Sequence, residues 1–100
     1  MKGKPLEGEL LKDSHIFLHP ARYRIMELLL AKPMHVNGLS KALGEERRLV
    51  AYHLESLETH GFVTSKYEIS EAPKSRGKAL RMFTATDKVA AVKAALKRIL

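Results

Sequence analysis

Two apolar stripes of helical spacing, each closed by a glycine, lie between Leu39 and Val63 and dictate most of what this 100-residue chain can fold into. The first is Leu39, Ala42 and Leu43 and stops at Gly44; the second is Val50, Leu54 and Leu57 and stops at Gly61, ahead of Phe62 and Val63. A helix commonly ends on a left-handed residue just past its last turn, and glycine adopts that conformation without a Cβ clash. The segment therefore reads as helix, turn, helix and strand start, the outline of a helix-turn-helix. Arg47, Arg48, Tyr52 and Ser56 fall between the apolar positions of the second helix and give it a polar, basic face. A face of that kind can lie in a groove of DNA.

The flanks add elements on both sides. Leu6, Leu10 and Phe17, with Leu11 and Leu18 on an adjoining row, predict a first amphipathic helix from about Pro5 to Leu18. Pro20 ends it and suits the first turn of a second helix, lined by Ala21, Ile25, Leu28 and Leu29 and closed by Pro33. Met34 to Val36 is short and extended. After Gly61 the period changes to two, with Val63, Ser65, Tyr67 and Ile69 marking a strand. A second strand runs from about Ala79 to Ala85, with Leu80, Met82 and Thr84 on one face and Arg81 and Phe83 on the other. Residues 70–78 between them hold Pro73, Lys74, Arg76, Gly77 and Lys78, too polar and broken for regular structure, and make a basic hairpin tip. Thr86 or Asp87 then caps a last helix over about residues 87–100, whose Val89, Val92, Leu96 and Ile99 repeat with coiled-coil spacing. The fold class is mainly α with a small antiparallel β-hairpin, in the order four helices, two strands, one helix, and residues 1–100 form one domain.

Composition limits the function classes. A chain of 100 residues, 45% apolar, builds one core, and at this size it buries only about 60 to 65% of its unfolded surface. A long exposed apolar stripe would then point to a partner chain. The net charge of +7 favours a polyanionic partner, although the charge is spread out, with basic residues exceeding acidic ones in the first forty residues, the middle and the last helix alike. The chain has no cysteine, which removes disulfides, thiolate metal sites and thiol redox sensing. Lys2 and Lys4 precede no apolar leader, and the longest apolar runs are four residues, as from Leu28 to Ala31. A cytoplasmic protein is expected. No phosphate-cradling glycine loop, zinc-protease helix or nucleophile elbow appears, and Asp13 and Asp87 are the only aspartates, so no enzyme is expected.

Several of these motifs together resemble the winged helix-turn-helix regulators of the ArsR type. His19, Pro20, Arg22 and Ile25 are similar to that family's opening of the second helix, and Leu39, Ala42, Leu43 and Gly44 to its positioning helix. Val50, Ala51, Tyr52, His53 and Leu54 resemble its recognition helix, and Leu57, Gly61, Phe62 and Val63 the exit from it. Two departures stand out. Ala51 replaces the usual serine, and Glu45 and Glu46 occupy positions that are commonly small and polar. Those glutamates either complement the helix dipole or, for Glu46, accept from a cytosine amino group.

The resemblance implies a homodimeric, sequence-specific binder of double-stranded DNA that regulates transcription, with a recognition helix over about residues 46–60 in the major groove. Its contact residues would be Arg47, Arg48, Ala51, Tyr52, His53 and Ser56, with Lys74, Arg76 and Lys78 of the wing on the backbone or minor groove. Tyr52 has the alternative of packing at the helix crossing, and His53 that of a partly buried imidazole bonded to backbone. The dimer would form through Leu6, Leu10, Phe17, Val89, Val92, Leu96 and Ile99. No cofactor is expected. His15 and His19 have the i, i+4 spacing that can chelate zinc, but the last helix has no histidine and only Asp87 as a carboxylate, so the family's interfacial metal pattern is absent. His60 beside Gly61 is expected to bond carbonyls at the end of its helix. Two other readings stay open: a non-specific architectural DNA-binding protein, and a winged-helix module that binds another protein.

Overall fold

The computed structural model describes Gly8 and residues 11–99. Among the described residues its elements include α1 (Ser14–Phe17), α2 (Pro20–Ala31), β1 (Met34–His35), α3 (Val36–Leu43), α4 (Arg47–Thr59), β2 (Val63–Ile69), β3 (Ala79–Ala85) and α5 (Asp87–Ile99), with a 3₁₀ turn at Pro73–Ser75. Leu6, Leu10 and the start of the first helix lie outside the described residues. Within them that helix is not continuous to Leu18. A turn at Lys12 and Asp13 interrupts it before α1; there the Asp13 side chain bonds Lys88 at 2.8 Å and its carbonyl accepts from the amide of Ile16.

The predicted hairpin gains a third strand. β1 pairs antiparallel with β3 through Met34↔Phe83 and His35↔Met82, and β3 pairs with β2 from Val63↔Ala85 to Ile69↔Ala79, in the order β1-β3-β2. Two residues carry no periodicity, so this strand is visible in sequence only as an extended link. Burial along β2 ends early. Val63 is buried, but Tyr67 and Ile69 are exposed, because the hairpin runs out beyond the helical body. On β3 it is Phe83, from the Arg81 side of the strand, that enters the core, while Leu80 and Met82 stay half-buried.

The core gathers residues from every helix: Phe17 from α1, Ile25, Met26 and Leu29 from α2, Leu39 and Leu43 from α3, and Val50, Leu54 and Leu57 from α4. Phe62, Val63 and Phe83 join from the sheet side, and Val89 and Val92 from α5. Phe17 packs edge-on to Tyr23 and tilted against Phe62, at ring separations of 5.5 and 5.7 Å, which fall in the favourable range for aromatic pairs. Gly44 and Gly61 end α3 and α4 as the sequence predicts. Gly44 has φ 70°, and Gly61 has φ 81°. At the second site the Gly61 amide donates to the Glu58 carbonyl and the Phe62 amide to that of Leu57, the pair of hydrogen bonds that closes a helix C-terminus and turns the chain into β2.

Candidate nucleic-acid interface

The packing of α4 sorts its side chains into two faces. Val50, His53, Leu54 and Leu57 are buried against α2 and α3, whereas Arg47, Arg48, Ala51, Tyr52 and Glu55 are exposed and Ser56 is half-exposed. The exposed face is not flat. Arg48, Ala51, Tyr52 and Glu55 line one wall of an open groove of about 350 Å³, whose other wall is His35 and Val36 at the start of α3 and Arg81 and Phe83 on β3. α4 and β3 therefore bound a shared concave surface.

Several cations of this surface are held in place. Arg47 Nη1 donates to Asn37 Oδ1 at 3.0 Å, linking α4 to the first turn of α3. The guanidinium of Arg81 contacts the Glu58 carboxylate at 2.5 Å, donates through Nε to Ser65 Oγ, and lies 4.9 Å from the centre of the Phe83 ring. This pair neutralises Glu58 on the face nearest the wing. Arg48, Lys74, Arg76 and Lys78 are exposed, and none has an ion-pair partner among the described residues. The wing tip is ordered rather than loose: the Ser70 amide donates to the Lys78 carbonyl, the Gly77 amide to the Ser70 carbonyl, and the Ser70 and Ser75 hydroxyls meet at 2.6 Å.

His53 requires a correction. It is 4% exposed and points into the protein, so it offers nothing to a duplex, and its partner is a side chain rather than backbone. Its Nδ1 accepts from Arg22 Nε at 2.9 Å. Burial first, then the charges of Arg22 and His19, pull its pKa below the ordinary 6.5. The spacing of His53 with Val50, Leu54 and Leu57 is the i, i+3, i+4, i+7 signature of an inward face and is the signal that marks it. Arg22, Asn37 and Arg81 leave no local sign in the sequence, since each acts through a partner distant in the chain.

Glu45 and Glu46 both precede α4, and Glu46 is its N-cap residue without a side-chain cap bond. The two other histidines with helix-end roles, His19 and His35, cap α2 and α3 by accepting from the amides of Ala21 and Asn37 through Nδ1. His60 Nδ1 bonds the Ser56 carbonyl at 2.8 Å, as the sequence predicts. His19 thus has one ring nitrogen in use, His15 is exposed, and no group of three or more His, Asp or Glu among the described residues is placed to hold a metal ion.

The seam expected for a dimer is divided. Phe17, Val89 and Val92 are consumed by the core of their own chain, because α5 folds back across α1 and α2; this corrects their assignment to an interface between chains. Leu96 is half-buried and Ile99 is 59% exposed. Beside them Phe17, Leu18, Tyr23, Lys93, Leu96 and Lys97 line an open, mostly apolar cleft of about 330 Å³.

Residues 19–65, from the cap of α2 to the middle of β2, match the family model of the bacterial regulatory proteins of the arsR family. This segment is an ArsR-type helix-turn-helix. The solved structural neighbours agree over nearly the whole chain. A transcriptional regulator homologue from Pyrococcus horikoshii superposes with a TM-score of 0.69 over 93% of this chain and 92% of its own, at 21% identity. The transcriptional repressor BigR from Xylella fastidiosa gives 0.70 over 87% and 79% at 18% identity, and reduced HlyU from Vibrio cholerae 0.64 over 93% and 87% at 22% identity. At these identities the neighbours establish the fold. No curated protein matches the sequence. No helix among the described residues is long and apolar enough to cross a membrane.

Proposed function

We propose that this ArsR-type chain is a homodimeric transcriptional regulator that reads double-stranded DNA through α4. The observation that carries this reading is the sorting of α4: one face is buried in the core, and the other presents Arg48, Ala51 and Tyr52 to an open groove shared with the wing. Arg48 has a free guanidinium fork suited to the O6 and N7 acceptors of guanine, a pairing worth about 1 to 3 kcal/mol of discrimination. Tyr52, exposed beside it, supplies an apolar ring for a thymine methyl or a hydroxyl for a phosphate. Lys74, Arg76 and Lys78 make sequence-independent phosphate contacts from the wing. The exposed Leu18 and Ile99, with half-buried Leu96, form the contact with a second copy, which sets two recognition helices about 34 Å apart.

The experiment is selection of bound duplexes from a random pool, followed by titrations of two variants. Arg48→Ala is expected to lose preference at one base position, whereas Lys78→Ala weakens every sequence alike and lowers the salt slope by about 1. Enrichment of no sequence, with strong salt dependence retained, would instead indicate the architectural reading.

A further inference from the structure

Arg22 belongs to α2 and is not part of the contact surface proposed above, yet it touches two consecutive residues of the recognition helix, one buried and one exposed. Its Nε donates to Nδ1 of the buried His53 at 2.9 Å, and its guanidinium carbon lies 5.9 Å from the centre of the Tyr52 ring. Tyr52 is 62% exposed and lines the groove between α4 and the wing. The apolar contact between α2 and α4 is already supplied by Ile25, Leu29, Leu54 and Leu57 in the core. The guanidinium therefore adds orientation to a helix pair that packs without it. We propose that Arg22 is a positioning residue for DNA reading: anchored on neutral His53, its guanidinium holds the Tyr52 ring in the orientation that meets the duplex. The inference rests on the DNA-binding reading of the same face.

Chemistry dictates the state this requires. An imidazole that accepts at Nδ1 carries its proton on Nε2 and is neutral. The groups facing it are Arg22 from α2, His19 at the cap of that helix with its ring 4.7 Å away, Glu45 from the turn before α4, and Tyr52 on α4 itself at 5.5 Å. Burial, Arg22 and His19 disfavour protonation, and Glu45 alone opposes them. Once protonated, Nδ1–H would face the Nε–H of Arg22, two donors and two positive charges, and the bond breaks. Lysine cannot replace arginine here, because only the planar guanidinium donates along one edge while keeping its cationic plane near a ring.

The test combines NMR titration of the histidine ring nitrogens with affinity for a selected duplex at about pH 8 and about pH 5.5, spanning the histidine range. The wild-type chain, Arg22→Lys, Tyr52→Ala, the double variant of these two and His53→Asn are compared. Asparagine places a carbonyl oxygen near the position of Nδ1 and does not titrate. In wild type, His53 is expected to carry its proton on Nε2 at neutral pH, and affinity is expected to fall by about tenfold as the ring protonates, the equivalent of one lost charged contact. His53→Asn gives the same affinity at both pH values. Arg22→Lys keeps a similar thermal midpoint, moves the Tyr52 ring resonances and loses about tenfold in affinity at the higher pH. A proton on Nδ1 of His53 at neutral pH, unmoved Tyr52 resonances in Arg22→Lys, or losses from Arg22→Lys and Tyr52→Ala that simply add would overturn the proposal. A wild-type chain that binds no duplex overturns the DNA-binding reading instead, and the tautomer and the Tyr52 resonances still decide whether Arg22 holds these two side chains.

Discussion

The Thr86 hydroxyl illustrates how much of this fold rests on single polar atoms. It donates to the Gly61 carbonyl at 2.7 Å and accepts from the amide of Lys88 at 3.2 Å, so it caps α5 and ties that helix to the end of α4. Sequence alone left Thr86 and Asp87 as alternatives, because both are good caps and only the tertiary partner decides between them. Thr86→Ala is expected to cost about 1 to 2 kcal/mol, read as a fall of roughly 4 to 8 °C in the thermal midpoint per kcal/mol at this chain length. Thr86→Ser should recover most of it. His53 sets the response to mild acid by the same residue-level logic. Its folded pKa lies below the unfolded value of 6.5, so the unfolded chain takes up the proton first. Stability should therefore hold above pH 6.5 and decline as the pH falls below it, down to the folded value. Denaturant unfolding at a series of pH values would show this decline in wild type and its loss in His53→Asn.

At the scale of elements, one ammonium joins three of them. Lys88 Nζ on α5 donates to Asp13 Oδ2 before α1 at 2.8 Å and to the His60 carbonyl ending α4 at 2.6 Å, and it lies 4.7 Å from the centre of the Phe62 ring. The hydrogen bond from Lys88 is the main cause that holds the Asp13 carboxyl below its ordinary 3.8, and burial opposes it. That contribution is present above about pH 4 and is lost as the pH falls through the lowered folded value. We expect Lys88→Gln to cost about 1.5 to 3 kcal/mol, the range for hydrogen bonds to charged groups, and to remove the part of the acid sensitivity that Asp13→Asn also removes. Equal pH profiles for wild type and Asp13→Asn would contradict this. The contact spans 75 residues of sequence, which explains why it could not be read there. The helices and the hairpin were legible because a period of 3.6 or 2 repeats within each segment, and Gly44 and Gly61 were legible because a left-handed cap is a local demand. Arg22 with His53, Arg81 with Glu58, and the two-residue β1 leave no local trace. The same limit explains the split seam: Val89, Val92, Leu96 and Ile99 share one stripe, and periodicity does not say which part of a stripe its own chain covers.

At the scale of the whole molecule, the described residues hold more amphipathic helix than the core encloses. The core takes Phe17, Val89 and Val92, and what remains near the end of α5 is Leu18 at 55% exposure, Ile99 at 59%, half-buried Leu96 and the cleft flanked by Lys93 and Lys97. A second copy related by a two-fold axis would cover these residues with the same residues from its partner, which is the economical way to bury a self-complementary patch. The two lysines favour an arrangement in which the apolar centre is desolvated and the ammonium groups stay at the wet rim. Ile99→Glu probes this without disturbing the core, since the side chain is already exposed in one chain. Sedimentation should then find a dimer for the native sequence and a monomer for the variant, with the thermal midpoint of the variant independent of concentration. Affinity for a palindromic duplex should fall by about 10² to 10⁴, the gain lost when the second half-site is no longer tethered, while affinity for an isolated half-site stays unchanged. A native chain that sediments as a monomer at the concentration where it binds the palindrome would show instead that one recognition helix and one wing suffice.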